Sequence, residues 1–132
     1  MSAVVDASVL VAALVDSSPR GAWAEGVLAG GGLCAPELAR VEAATILRRL
    51  ELARHITTPE ADAAYEDLQQ LPLEWFAYEP FAERIWALRS TVTSYDAWYV
   101  ALAEALDLPL ATLDERLARA KGPECRFMVP GG

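Results

Sequence analysis

Several residue types that carry common enzyme chemistry are scarce in this chain of 132 residues. Histidine occurs once, as His55, and cysteine twice, as Cys34 and Cys125. These three side chains cannot supply the four ligands of a structural zinc site. We expect both thiols to be reduced core residues, although a disulfide between them stays open at this point.

The single histidine also limits the hydrolytic mechanisms that are open. His55 lies in the polar segment RHITTPE, which favours a surface position at a helix end over a role as general base. Ribonuclease chemistry with paired histidines is thereby excluded, and Ser-His-Asp and Cys-His sites are disfavoured. The patterns GxxxxGK[ST] and GxGxxG are missing too, so no nucleotide-cradling loop is expected.

Long apolar runs are also missing. The longest, SVLVAALV at 8–15, has about half of the ~18–20 residues that a membrane-spanning helix needs. No basic leader precedes it, so we expect a cytoplasmic protein with neither a secretory signal nor a membrane anchor. Hydrophobic residues still make up 54% of the chain, and this surplus suggests an interface with another protein.

Positive charge is in short supply, since 11 Lys and Arg residues face 19 Asp and Glu residues, for a net charge of -8. This balance opposes unassisted nucleic-acid binding, because phosphates would be repelled. Bound divalent metal ions would reverse the sign locally. Ten of the eleven basic residues are arginine, the type suited to bidentate phosphate contacts.

What the chain does have is an alternation of short apolar segments with helical patterns. This alternation predicts one α/β domain over residues 1–132, with a short and mostly parallel central sheet. The predicted strands are Ala3–Val5, Gly32–Ala35, Leu73–Phe76, Leu110–Thr112 and Arg126–Val129. The predicted helices are Ser8–Val15, Gly21–Ala29, Pro36–Arg54, Thr58–Gln70, Pro80–Leu88, Ser94–Leu106 with Ser94 as its cap, and a short last helix whose capping box is Thr112 and Glu115.

Four acidic residues lie where strands or loops pass into helices, or on apolar helix faces: Asp6, Glu42, Asp96 and Asp114. Asp6 directly follows the first predicted strand, and parallel α/β sheets bind ligands at the carboxyl ends of strands. A turn or cap would explain Asp6 equally well. Asp96 and Asp114, taken singly, could each be an acid that stabilises a helix start.

Glu42 is the most informative of the four, because it lies in mid-helix where no capping role is available. Leu38 and Ile46 are one turn away on the same face. A carboxylate within an apolar stripe needs a cation or a polar partner. The alternative to a functional role is a salt bridge to Arg40 or Arg49.

Converging carboxylates repel one another, so one must be protonated or a cation must lie between them. A hard divalent ion such as Mg²⁺ prefers oxygen ligands. An acidic site without histidine therefore predicts metal-assisted hydrolysis of a phosphodiester, in which the ion activates a water molecule and neutralises phosphate charge.

The segments around these acids resemble the motifs of PIN-domain ribonucleases, in particular the VapC-type toxins of prokaryotic toxin–antitoxin pairs. VVDASVLVAAL resembles the first motif, APELARVEAATILRRL the second, and TVTSYDAWYVALAEALDLPLATLDERLARA the third and fourth. The resemblance covers essentially the whole chain and implies a three-layer α/β/α fold. It also implies that the four acids bind metal, with Asp6 and Asp96 as the most direct ligands.

The same resemblance implies a Mg²⁺- or Mn²⁺-dependent endoribonuclease that leaves a 5′-phosphate and a 3′-hydroxyl. Ser8 and Thr112 would line the site. The implied partners are RNA, a VapB-type antitoxin that blocks the site with a basic side chain, and a second copy in a homodimer. One departure from the family pattern is Trp98, where small residues are more usual.

Two groups of side chains are further candidates for contacts with partners. The candidates for RNA-phosphate contacts are Arg20, Arg84, Arg89 and Arg116. The candidates for interface packing are Trp23, Trp75, Trp86 and Trp98. For every one of them, an ordinary surface or core position is the alternative.

Two other function classes stay open. A receiver-type phospho-acceptor domain is also small, acidic and α/β, but it needs paired acids after the first strand and a lysine at a late strand end. Asp6 stands alone, and Lys121 is not at a predicted strand end. The other class is a metal-free interaction module with the same fold, whose melting temperature should not respond to Mn²⁺.

Overall fold

The computed structural model describes residues 2–131. Within this range five strands form one parallel sheet in the order β3-β2-β1-β4-β5. The strands are β1 (Ala3–Val5), β2 (Leu33–Pro36), β3 (Leu73–Phe76), β4 (Leu110–Ala111) and β5 (Phe127–Met128). The predicted α/β class with a parallel sheet is therefore confirmed.

Helices connect the strands and cover the sheet. They are α1 (Ala7–Val15), α2 (Pro19–Ala29), α3 (Leu38–Leu52), α4 (Thr58–Gln70), α5 (Ala82–Ala87), α6 (Ser94–Leu106) and α7 (Glu115–Ala118). Helices α1 to α4 pack against one another, whereas α6 packs on β1, β2 and β4 with α5 beside it. Right-handed crossovers that run outward from β1 to β3 and then back from β3 to β4 place these two groups on opposite faces, which gives the α/β/α sandwich.

The three inner strands are buried on both faces, as their unbroken apolar sequences require. The chain winds outward from β1 through β2 to β3, and then returns across the sheet to β4 on the other side of β1. Ligands of such sheets bind at the carboxyl ends of the strands, beside the point where the winding reverses. In this chain that point lies between β1 and β4.

The sheet order also bears on the receiver-type alternative. Receiver domains have the doubly wound order 2-1-3-4-5, whereas this sheet has 3-2-1-4-5. The receiver alternative is therefore wrong.

Cys34 and Cys125 are both free thiols, as expected. Among residues 2–131, no helix combines the length and the apolar character needed to cross a membrane.

Several predicted element boundaries are wrong for local reasons. Pro36 was expected to open α3, but it is the last residue of β2 and pairs in register with Phe76. The ladder continues past it, since the Glu37 N–H donates to the Phe76 carbonyl at 3.0 Å. The predicted helix Pro80–Leu88 is split into a 3-10 turn at Glu79–Phe81 and the short helix α5.

Two predicted helix caps are displaced by one or two residues. Thr93, not Ser94, caps α6, because its hydroxyl accepts the N–H of Asp96 at 3.2 Å. Asp114, not Thr112, caps α7, because its carboxylate accepts the N–H of Arg116 at 2.9 Å. Capping is decided by which side chain reaches an unpaired helical N–H, and spacing alone does not settle that choice.

Candidate functional site

A cleft of about 370 Å³ lies at the carboxyl ends of β1 and β4, and all four predicted acids line it. Two come from the sheet, since Asp6 follows β1 and Asp114 lies just beyond β4. The other two come from helices, with Glu42 on α3 and Asp96 in the first turn of α6. We call Asp6, Glu42, Asp96 and Asp114 the cleft acids.

Asp6 is the most deeply buried of the cleft acids, with 9% of its surface exposed. It caps α1, and its Oδ1 accepts the Val9 N–H at 3.2 Å and the Ser8 hydroxyl at 2.5 Å. Burial raises the pKa of Asp6, and the charge of Asp96 adds to this rise. Hydrogen bonds from Ser8, Thr112 and Val9 oppose the rise without cancelling it.

Glu42 is half-buried, and its Oε1 accepts the hydroxyl of Tyr99 at 2.5 Å. Burial raises the pKa of Glu42 against this hydrogen bond, and the charges of Asp96 and Asp6 raise it further. Within residues 2–131 no salt bridge joins Glu42 to an arginine. Arg40, one of the two expected partners, pairs instead with Glu37 at 3.4 Å.

Asp96 and Asp114 complete the group. Burial raises the pKa of Asp96, as does the charge of Asp114, while Thr93 and Arg116 act in the opposite direction. The Asp114 Oδ1 lies 3.8 Å from the Nε of Arg116. That arginine side chain is 89% exposed, so water screens most of its charge and the pair is weak.

The cleft acids therefore share a cleft, and like charges within it raise the pKa values of Asp6, Glu42 and Asp96. Nevertheless, no three Asp, Glu, His or Cys side chains among residues 2–131 are close enough together to form a ready metal-binding cluster. Carboxylates that face one another repel, and a cation bound between them would remove that repulsion. The donors are all oxygen, which suits Mg²⁺ or Mn²⁺ better than a soft ion.

The two expected site-lining hydroxyls link the strand ends to each other. The Ser8 hydroxyl donates to Asp6 and accepts the Leu113 N–H at 3.3 Å, which ties the start of α1 to the loop after β4. Thr112 is fully buried, and its hydroxyl accepts the Asp114 N–H at 2.9 Å. Both hydroxyls thus orient acids, and Ser8 also lines the cleft.

The four predicted phosphate contacts lie in different surroundings. Arg116 is beside the cleft acids, and Arg20 donates to the Leu113 carbonyl at 3.5 Å in the neighbouring loop. Arg84 is engaged elsewhere, with two hydrogen bonds to Glu104 at 2.7 and 3.0 Å. Arg89 stacks 4.3 Å above the ring of Trp86. Neither Arg84 nor Arg89 lines the cleft.

Of the four tryptophans, Trp86 is 65% exposed and stays a candidate for an interface. Trp23, Trp75 and Trp98 are half-buried and pack on the core. For these three, the alternative of an ordinary core position therefore fits better than an interface. Trp98 also meets the ring of Tyr78 edge-on, with ring centroids 5.3 Å apart.

The cleft residues that were not assigned to the site from the sequence include Tyr95, Tyr99 and Arg49, the last of which was considered only as a salt-bridge partner of Glu42. Arg49 lies seven residues after Glu42, which is two helical turns along the same face, so this spacing could have identified it. Tyr99 lies on the buried face of α6, a position typical of a core residue, and no role for its hydroxyl was predicted. That face carries Asp96 one turn earlier, which was the available signal.

The comparison with known proteins supports the family resemblance that the sequence motifs indicated. A PIN domain family model matches residues 3–123. Ribonuclease VapC1 of Mycobacterium tuberculosis is 42% identical over 127 residues, which cover 96% of each chain.

Solved structures share the fold. PAE2754 from Pyrobaculum aerophilum matches with a TM-score of 0.66 and 25% identity, over 96% of this chain and 92% of its own. VapBC2 from Rickettsia felis, solved with a DNA fragment from its promoter, matches with a TM-score of 0.68 and 13% identity, over 98% of each chain. On the family match and the identity to VapC1, this chain belongs to the PIN-domain family, among its VapC-type members.

Proposed function

We propose that this chain is a Mg²⁺- or Mn²⁺-dependent endoribonuclease and the toxin of a type II toxin–antitoxin pair. One observation carries the proposal. Asp6, Glu42 and Asp96 line one cleft with raised pKa values, and none forms an ion pair within residues 2–131. Burying unpaired carboxylates that repel one another costs free energy. A divalent cation bound between them would lower that cost.

The cleft acids would hold the ion, with Asp6 and Asp96 as the most direct ligands. When bound, a divalent ion lowers the pKa of a water molecule and neutralises charge on a phosphate. Glu42 and Asp114 would bind water or a second ion, or orient the attacking water. Ser8 keeps Asp6 in place, since its hydroxyl donates to that carboxylate while its oxygen accepts the Leu113 N–H.

The net charge of -8 repels RNA phosphates, so positively charged side chains near the cleft are needed for RNA to bind there. Arg49 lines the cleft, is exposed, and has no ion pair in the described part of the chain. Arg116 lies beside Asp114 on the other side. We propose that these two arginines contact the phosphates that flank the cleaved bond, with Arg20 further out.

The proposed partners are a VapB-type antitoxin and a second copy of the chain. Val41 and Tyr95, which are 65% and 61% exposed, form an apolar rim on the cleft. An apolar antitoxin segment fits this rim, and a basic side chain fits the acids behind it. The name of the Rickettsia felis structure supports such a partner for a protein of the same fold.

The test is cleavage of RNA by the purified chain. We expect Mg²⁺ or Mn²⁺ to be required and the products to carry 5′-phosphates and 3′-hydroxyls. Sequencing of RNA 5′ ends after brief expression, with Asp6→Asn as the control, would identify the RNA that is cut. Full activity of purified Asp6→Asn would contradict the proposal.

A non-catalytic interaction module with the same fold is the second candidate. It is favoured by one observation, namely that the cleft acids do not already converge into a metal-binding cluster. A Mn²⁺ titration separates the two. Saturation at about 100 times the dissociation constant stabilises a binding site by about 2.7 kcal/mol, which raises the melting temperature by several degrees. A module without a site gives no rise.

A further inference from the structure

Three of the cleft acids are held by groups close to them in the chain. Asp6 accepts from Ser8 and from the Val9 N–H. Asp114 accepts the N–H groups of Arg116 and Leu117 at 2.9 and 3.3 Å. Asp96 has the side chain of Thr93, three residues earlier, as its hydrogen-bonding neighbour. Local helix-start geometry therefore contributes to the orientation of all three, and Thr112 adds a hydrogen bond to Asp6 from the loop after β4.

Glu42 has no such local support. It lies inside α3, where the neighbouring backbone N–H groups bond to carbonyls of the helix itself. Its hydrogen-bond partner is the Tyr99 hydroxyl on α6, 57 residues away. The orientation of this carboxylate is thus decided by a contact between the two helices that carry acids.

Tyr99 is suited to hold another group. The residue is 2% exposed and its ring belongs to the core, so the ring cannot turn away from Glu42. A phenol hydroxyl carries its proton at neutral pH and an ionised carboxylate can only accept, so the Tyr99 hydroxyl donates to Glu42. A carboxylate that accepts one bond at Oε1 still has free lone pairs, including those of Oε2.

We propose that Tyr99 is a positioning residue that acts through Glu42: its hydroxyl holds Oε1 and leaves the rest of the carboxylate free for a divalent cation or its water. This inference rests on the proposed function, because it concerns the same metal site. Groups that orient a metal-binding carboxylate typically contribute 10- to 100-fold to metal affinity.

Tyr95 provides a matched control. It lies on the same helix, lines the same cleft and is 61% exposed. Its hydroxyl makes no hydrogen bond to any of residues 2–131. Tyr95→Phe and Tyr99→Phe therefore remove the same atom from the same cleft, and only the second removes a contact with Glu42.

The experiment measures Mn²⁺ binding to the full metal-free chain by isothermal titration calorimetry. We expect Tyr99→Phe to weaken binding about 10- to 100-fold and Tyr95→Phe to change it less than about twofold. In a Glu42→Gln background, Tyr99→Phe should cause no further loss, because the group through which Tyr99 acts is already altered. Replacement of Tyr99 by 4-aminophenylalanine, which restores a donor, should recover much of the affinity.

Each other outcome overturns a distinct statement. Unchanged Mn²⁺ affinity in Tyr99→Phe overturns the positioning role. An equal further loss in the Glu42→Gln background shows that Tyr99 does not act through Glu42, and overturns it too. If Tyr99→Phe does not fold, 4-methylphenylalanine at this position fills the volume without a donor, and the same loss is expected. No Mn²⁺ binding by the unaltered chain overturns the proposed function itself.

Discussion

Partly buried carboxylates occur in two contrasting settings in this molecule. Glu104 on α6 accepts two hydrogen bonds from Arg84 and the N–H of Glu124 at 2.7 Å. Arg84 also donates to the Gly122 carbonyl at 3.1 Å, so this cluster fastens the segment before β5 to α5 and α6. The cleft acids, at the carboxyl ends of β1 and β4, have no comparable partner among the described residues.

The contrast appears in their pKa values. Burial raises the pKa of Glu104, but the hydrogen bond from Arg84, the Glu124 N–H and the arginine charge outweigh burial and lower it. In the cleft, burial and like charges prevail, and the pKa values of Asp6, Glu42 and Asp96 are raised. The same chemical group is therefore structural where it is paired, and available for a cation where it is not.

The largest expected difference between the two settings concerns catalysis. Asp6→Asn should reduce RNA cleavage at least about 1,000-fold, because loss of this proposed metal ligand would remove several kcal/mol of transition-state stabilisation. Glu104→Gln, the matched change at the paired acid, should leave the cleavage rate per folded molecule unchanged. Rates of 5′-labelled RNA cleavage measure both. Comparable losses of cleavage rate in Asp6→Asn and Glu104→Gln would show that the cleft acids and the paired acid do not differ in function.

The stability of the fold, unlike catalysis, should depend on the paired carboxylate Glu104. Arg84→Ala removes the partner of Glu104 and should lower the free energy of unfolding by about 1–2 kcal/mol. Urea denaturation without metal measures this loss. Cleavage per folded molecule should stay at the level of the unaltered chain, since Arg84 does not line the cleft. A specific loss of RNA binding would instead restore Arg84 as a phosphate contact.

The pH dependence of stability should have opposite signs in the two settings. For Asp6 and Asp96 the folded pKa lies above the ordinary value of 3.8, so the folded state binds more protons and is destabilised as pH rises through that window. Without metal, Asp6→Asn should therefore stabilise the fold at neutral pH, and the gain should shrink as pH falls toward the ordinary pKa of 3.8.

For Glu104 the folded pKa is lowered, so its ionisation stabilises the fold at neutral pH, and this contribution is lost as pH falls through the folded pKa. Glu104→Gln should therefore be most harmful near neutral pH. Urea denaturation in EDTA across this pH range measures both variants. A gain from Asp6→Asn that grows on acidification would contradict the assignment of the raised pKa.

The smallest expected effect concerns RNA binding by Arg49. In an Asp6→Asn background, where the RNA stays intact, Arg49→Ala should reduce the slope of log affinity against log salt concentration by about 0.7, the value for one lost single-strand phosphate contact. Arg84→Ala should leave the slope unchanged. Fluorescence anisotropy with a labelled single-stranded RNA measures both. Equal slopes for Arg49→Ala and the parent would remove Arg49 from the proposed RNA surface.

Local pattern was sufficient for much of the fold. The bounds of β1 and β3 are as predicted, because apolar runs that end at turn residues leave little choice. Pro36 and the caps at Thr93 and Asp114 differ from the prediction, since each depends on which donor meets which acceptor in space. The lack of a ready metal-binding cluster among the described residues was not predicted either, because the distances between side chains from different elements are set only by the folded chain.

By itself, the sequence determined the α/β class, the parallel strands and the placement of acids at strand ends and on an inward helix face. These features follow from hydrophobic periodicity and from chain order, both of which are local. Only the tertiary structure decided that Arg84 neutralises Glu104 and that Tyr99 bonds to Glu42, pairs that lie 20 and 57 residues apart. Such contacts depend on how helices pack across the sheet, and no spacing in the chain encodes that geometry directly.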